Sequence, residues 1–244
     1  GETVKSTDVE TGAVETVAYE LSDGTAMSGT FSMEDAQYTV TMSAIRVLLK
    51  GSNGRRLLYE YDLIAHTIEQ EAEMELGANV KTNLVRNNSA DYLFVNRANK
   101  TEVYRLNGDE WVKDGEIGGK TGLTAYYSYG DKICLLNSGG LVEYNTNTHT
   151  FEFIGVSLSG GAPAGVFRDE NTGEYFIYSG YVYKVDIENK TAVRTTELVG
   201  DCIPFRGLDK KIYRLYQDRV TRDGTVVYKR KIPSLNTKKV QGVL

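Results

Sequence analysis

An all-β propeller of four-stranded antiparallel blades, six in number, is the fold this sequence predicts. Three observations predict it. A turn grammar returns about every 40 residues, short apolar-alternating strands flank each turn, and the composition suits strands and turns. The 244 residues include 25 Gly, 17 Tyr and only 3 Pro. Glycine supplies turns, and tyrosine fits a pleated, half-buried surface better than a helix. A hydrophobic fraction of 41% and a charged fraction of 25% are ordinary globular values.

Each turn is anchored by an Asp or Asn between two strands: Asp8, Asp62, Asn107, Asn145, Asp186 and Asp223. From Asp62 onward the anchors lie 45, 38, 41 and 37 residues apart. Four turns (8–14, 62–68, 145–151 and 186–192) share a longer form. In it the head residue is followed by three residues, then Gly, His or Lys, then Ala or Thr. The head side chain can accept hydrogen bonds from backbone N–H groups just ahead, fixing the turn before the next strand starts. Asn107-Gly108 and Asp223-Gly224 are two-residue hairpin signals, because both positions tolerate positive φ.

Before each anchor runs an alternating strand (57–61, 102–106, 141–144, 181–185), and after it another (110–117, 150–156, 191–199). Upstream lie two more: a segment running up to Arg86, Tyr129, Arg168 or Arg206, then an apolar run (91–96, 131–137, 174–179, 210–216). Four strands per unit is the pattern of a blade. The window 69–76, EQEAEMEL, has helix-favouring composition but sits where an outer strand belongs, and is read as one.

Six anchors give six blades across a single domain, 1–244. The first turn opens only eight residues in, so the N-terminus should supply outer strands. The tail after Ile232 should then complete the blade the N-terminus begins, closing the ring and removing a sheet edge. Residues 25–56 fit the repeat poorly, and five blades with an irregular N-terminal segment is the alternative.

The stretch 139–153 combines a glycine doublet, Gly139-Gly140, with Tyr144 and a large aromatic, Phe151, seven positions later. It resembles a kelch-type blade, and Tyr104 and Trp111 repeat the aromatic spacing. The whole chain resembles divergent bacterial β-propellers of cell-envelope and lipoprotein families. That resemblance implies an extracytoplasmic setting (periplasm, cell surface or secretion) and transfers no catalytic residue.

Several chemistries find no support. A net charge of −5 argues against nucleic acid, which calls for a basic stripe. No run of about 18 apolar residues offers a membrane span. Cys134 and Cys202, in different repeats, read as buried small hydrophobes. His66 and His149 occupy one position of one turn, where sister units carry Lys190 and Gly12, so they read as solvent-facing turn residues. No metal-ligand spacing, phosphate loop or nucleotide fingerprint appears, and neither a cofactor nor a metal is expected. The run 118–122, GGKTG, lacks the upstream glycine of a phosphate loop and reads as a connector between blades.

One constellation points to a ligand. Arg86, Arg168 and Arg206 each follow a large apolar residue near the end of a unit's first strand, which would gather them at one end of a propeller. Guanidinium forks there suit an anionic partner; the plain alternative pairs them with neighbouring acids. Tyr126 and Tyr129 fall at the corresponding place and offer flat faces with hydroxyls. The expected function is therefore a non-catalytic binding or scaffold module for a protein or glycan partner. The alternatives are a glycan-processing hydrolase or lyase with paired channel carboxylates, or a structural part of a larger assembly.

Overall fold

In the computed structural model the described residues are 4–7, 13–17, 20–21, 31–38, 43–51, 53–88, 90–119, 122–123, 125–137, 140–156, 158, 165–168, 174–179, 181–198, 202–206, 211–216, 218–222 and 224–229. The chain opens with β1 (Val4–Thr7), β2 (Val14–Val17) and β3 (Glu20–Leu21). Five four-stranded units follow. Blade 1 is β4 (Phe31–Tyr38), β5 (Ala44–Gly51), β6 (Arg55–Asp62) and β7 (Thr67–Glu75). Blade 2 is β8 (Lys81–Asn87), β9 (Ala90–Asn96), β10 (Lys100–Asn107) and β11 (Glu110–Gly118). Blade 3 is β12 (Ala125–Tyr129), β13 (Lys132–Asn137), β14 (Gly140–Asn145) and β15 (Thr150–Gly155). Blade 4 is β16 (Gly165–Arg168), β17 (Tyr175–Ser179), β18 (Tyr181–Asp186) and β19 (Thr191–Leu198). Blade 5 is β20 (Ile203–Arg206), β21 (Ile212–Leu215), β22 (Arg219–Arg222) and β23 (Thr225–Lys229).

The described residues form five blades, not six. Four of the six anchors, Asp62, Asn107, Asn145 and Asp186, open the outer hairpin of a blade, and Asp223, between β22 and β23 in sequence, lies outside the described residues. The sixth, Asp8, lies in 8–12, outside the described residues, between two strands that form only a two-stranded sheet. Residues 25–56 hold the first two strands of blade 1. Their alternation is hidden because β4 carries a bulge between Met33 and Asp35, which turns two adjacent acids to structural duties. Each blade is built from four consecutive strands, so no described blade is shared between the chain ends. The tail expected to close the ring, 233–244, lies outside the described residues. The N-terminus does reach an outer edge: β3 pairs in parallel with β7, making a five-stranded sheet. The 69–76 window lies almost wholly in β7, as the outer-strand reading has it.

The inner strands of consecutive blades face one another, β4 to β8, β8 to β12, β12 to β16 and β16 to β20. Middle strands bury both faces, which is why they read as unbroken apolar runs; β9 is buried at every position after Ala90. The cores lie between blades. Leu48 and Leu58 of blade 1 meet Leu84, Leu93 and Val95 of blade 2. Val85, Tyr92 and Phe94 meet Ile133, Leu135 and Tyr144 of blade 3. Cys134, Leu136 and Leu141 meet Val166, Ile177 and Tyr183 of blade 4. Both cysteines are buried free thiols.

The long turns form as their sequence requires. Asp62 Oδ1 accepts from the N–H groups of Ile64 and Ala65, Asn145 Oδ1 from Asn147 and Thr148, and Asp186 Oδ1 from Asn189. Four residues on, His66, His149 and Lys190 have φ of 56°, 58° and 54°. The aligned Gly12 of the first unit lies outside the described residues. Gly140 answers a different need. Its φ is 140°, and a Cβ there would fall 2.5 Å from the Ile154 carbonyl oxygen. Gly54, just before the third strand of blade 1, has φ 91° and would place a Cβ 2.0 Å from the Leu76 carbonyl oxygen.

Candidate functional site

All inner strands run in the same direction, so the repeat itself brings the predicted residues to one end. Arg86 is the penultimate residue of β8, while Tyr129, Arg168 and Arg206 close β12, β16 and β20. The side chains of Tyr126 and Arg206 lie outside the described residues. Of the other three, the structure brings Tyr129 and Arg168 together across the boundary of blades 3 and 4. The Arg168 guanidinium lies 4.8 Å from the Tyr129 ring centroid and 5.8 Å from that of Tyr175, a cation–π geometry. No carboxylate among the described residues pairs with Arg168; the adjacent Asp169 lies outside them. Tyr127, between Tyr126 and Tyr129 in sequence, turns into the core and stacks on Tyr129 at 6.0 Å.

Beneath this pair is a buried polar network that the sequence reading missed. Glu143 of β14 is 3% exposed. Lys132 Nζ donates to its Oε2 at 2.7 Å. Tyr175 Oη lies 2.8 Å and Tyr129 Oη 3.3 Å from its Oε1, and the two hydroxyls also meet each other. Cys134 Sγ completes the shell 3.7 Å from Oε1. Burial pushes the Tyr129 hydroxyl up to about 12 and raises Tyr175 and the Cys134 thiol as well, so all three keep their protons near neutral pH. Burial, the largest single influence, would lower the Lys132 ammonium, but its hydrogen bond to Glu143 together with the attraction of that carboxylate raises it. The legible signal was Glu143 itself, a carboxylate in the middle of an apolar strand.

Arg86 takes the plainer course. Its Nη1 contacts both oxygens of Asp91 at 2.9 and 3.0 Å. Asp91 is shared with Arg46 of blade 1 at 3.1 Å, and Arg46 also pairs with Glu60 and Glu71, each at 2.9 Å. Burial raises the Asp91 carboxyl in spite of both cations. Arg86 is thus tied down within blade 2, and it is Arg46, through the same Asp91, that links blade 1 to blade 2. The inner-strand acids of blade 1 are similarly occupied: Glu34 meets fully buried Arg56, and Asp35 Oδ2 accepts from the Leu84 N–H at 2.8 Å.

His66 and His149 lie on exposed turns, and His149 Nδ1 is 2.9 Å from Asp114 of the neighbouring blade. Among the described residues no group of His, Cys, Asp and Glu is placed to hold a metal, and no helix is long and apolar enough to cross a membrane.

No family model matches the chain, and no curated protein matches it. Among solved structures it is similar to the crystal structure of Chaetomium thermophilum Raptor, at 9% identity and a TM-score of 0.56. The match covers 80% of this chain and 20% of that one, so this chain corresponds to one fifth of that protein's length. The kelch-type resemblance finds no support in these comparisons; its residues lie in blade 3, where Tyr144 and Phe151 are cross-strand partners with ring centroids 4.7 Å apart. In blade 2 the turn is shorter, closed by Asn107 opposite Glu110, so Trp111 faces Leu106 instead of Tyr104. At this identity the likeness concerns architecture, and the conclusion is one of fold: the chain carries a β-propeller of four-stranded blades.

Proposed function

We propose that this chain is a non-catalytic binding module that recognises a protein partner through the end of the propeller bearing Tyr129 and Arg168. One observation carries the reading: a guanidinium with no carboxylate partner among the described residues, laid over two tyrosines, on a base fixed by buried Glu143. Such an arrangement offers an aromatic face and charged donors in a fixed position, with little ordering entropy left to lose on binding. Arginine and tyrosine are also the side chains that dominate protein interfaces. The hydrolase alternative needs two free carboxylates about 5 to 10 Å apart, and the inner-strand acids Glu34 and Asp35 are committed to Arg56 and to the Leu84 amide. The test is affinity capture from an extract of the source with the full chain and with Arg168→Glu. The reading expects a partner retained by the native chain and lost from the variant. Identical capture by both, or glycan-array binding unaffected by the variant, refutes it.

A further inference from the structure

At the other end of the propeller a cleft of about 580 Å³ opens beside the start of β8 and the β9–β10 turn. That size suits a small-ligand or side-chain site. Asn96, the last residue of β9, lines it and is only 8% exposed. Its Oδ1 accepts from Thr101 Oγ1 at 2.9 Å and from the Leu123 N–H at 3.3 Å, which fixes the orientation of the amide. Its Nδ2 is buried and meets no acceptor. Buried donors in folded proteins are nearly always satisfied, so an orphan beside a cleft calls for an acceptor.

The cations around Asn96 define that acceptor. Arg97 commits its Nε to Glu102 at 3.0 Å, and Lys100 also pairs with Glu102 at 2.8 Å. Lys81, directly across the ladder from Asn96, is exposed and lines the same cleft. No carboxylate among the described residues pairs with it. One uncommitted ammonium above one uncommitted amide donor suits a monoanion. A phosphate dianion would call for a second free cation or a nest of backbone N–H groups. We propose that this cleft binds a side-chain carboxylate from an acidic segment of a partner protein. The net charge of −5 works against non-specific capture of such a segment, so binding there has to come from the local site.

The experiment uses the full chain and a fluorescein-labelled, end-blocked hexaglutamate peptide, followed by anisotropy, with hexaglutamine as the neutral control. Hexaglutamate is expected to bind and hexaglutamine not. Lys81→Glu should weaken binding at least tenfold, Asn96→Asp should abolish it, and Lys190→Glu, a distant exposed lysine, should leave it unchanged. Glutarate should displace the peptide more effectively than inorganic phosphate at matched ionic strength. Absence of hexaglutamate binding, an unchanged affinity in Lys81→Glu, or stronger displacement by phosphate overturns the proposal. Should Asn96→Asp fail to fold, the exposed Lys81 variant decides.

Discussion

Replacing Glu143 by Ala should destabilise the propeller by about 3 to 5 kcal/mol, the cost of breaking a buried charged network. The magnitude follows from what is stranded. Tyr175 is 4% exposed and loses an acceptor at 2.8 Å; a hydrogen bond to a charged group contributes about 1.5 to 3 kcal/mol. Tyr129, at 3.3 Å, loses a weaker one. The Lys132 side chain is 34% exposed, so its ammonium can turn to water and its loss adds no more than about 1 kcal/mol. Urea unfolding followed by tyrosine fluorescence reads the effect. At an m of about 3 kcal/mol/M the midpoint should fall by about 1 to 1.7 M. Tyr175→Phe should cost about half as much, and a cycle of Glu143→Gln with Tyr175→Phe should show coupling of at least about 1 kcal/mol. A Glu143→Ala midpoint within about 0.3 M of the native value would refute the network.

Other outcomes follow from single positions. Lys190→Gly should stabilise by up to about 1 kcal/mol in thermal unfolding, because φ of 54° is costly for a side chain, while Lys190→Val should destabilise by a similar amount. Gly140→Ala should cost at least about 2 kcal/mol by denaturant titration, since a Cβ meets the Ile154 carbonyl and the backbone is left-handed. The pH dependence rests on Glu102: burial pushes its carboxyl up, but hydrogen bonds from Lys100 and Arg97 outweigh that and hold it at about 2. Its folded pKa lies below the unfolded one, so its contribution is full above about pH 4.5 and lost as pH falls toward 2. Melting temperatures between pH 5 and 2.5 should therefore fall more steeply for the native chain than for Glu102→Gln.

The sequence made the outer hairpins legible because their chemistry is local. An Asp or Asn head and a left-handed fourth residue define the turn wherever it occurs. Blade number is not local. Asp8 has the same head residue, yet it lies between two strands with no inner pair to extend them. The first two strands of blade 1 went unread because the bulge at Glu34 sends that side chain to Arg56, while Asp35 turns to the Leu84 amide, and apolar alternation disappears. For the site, strand direction was enough to gather Arg86, Tyr129, Arg168 and Arg206 at one end. What each of them meets depends on neighbours on other strands. Asp91 occupies Arg86, whereas Arg168 meets Tyr129 and Tyr175, and Tyr175 lies 46 residues beyond Tyr129.

The most direct test of the binding reading is amide hydrogen exchange of the full chain with and without the partner captured through Arg168. The account predicts added protection in the β12–β13 and β16–β17 segments, around Tyr129, Lys132 and Arg168, with outer strands β11, β15 and β19 unchanged. Protection confined to those outer strands would contradict it.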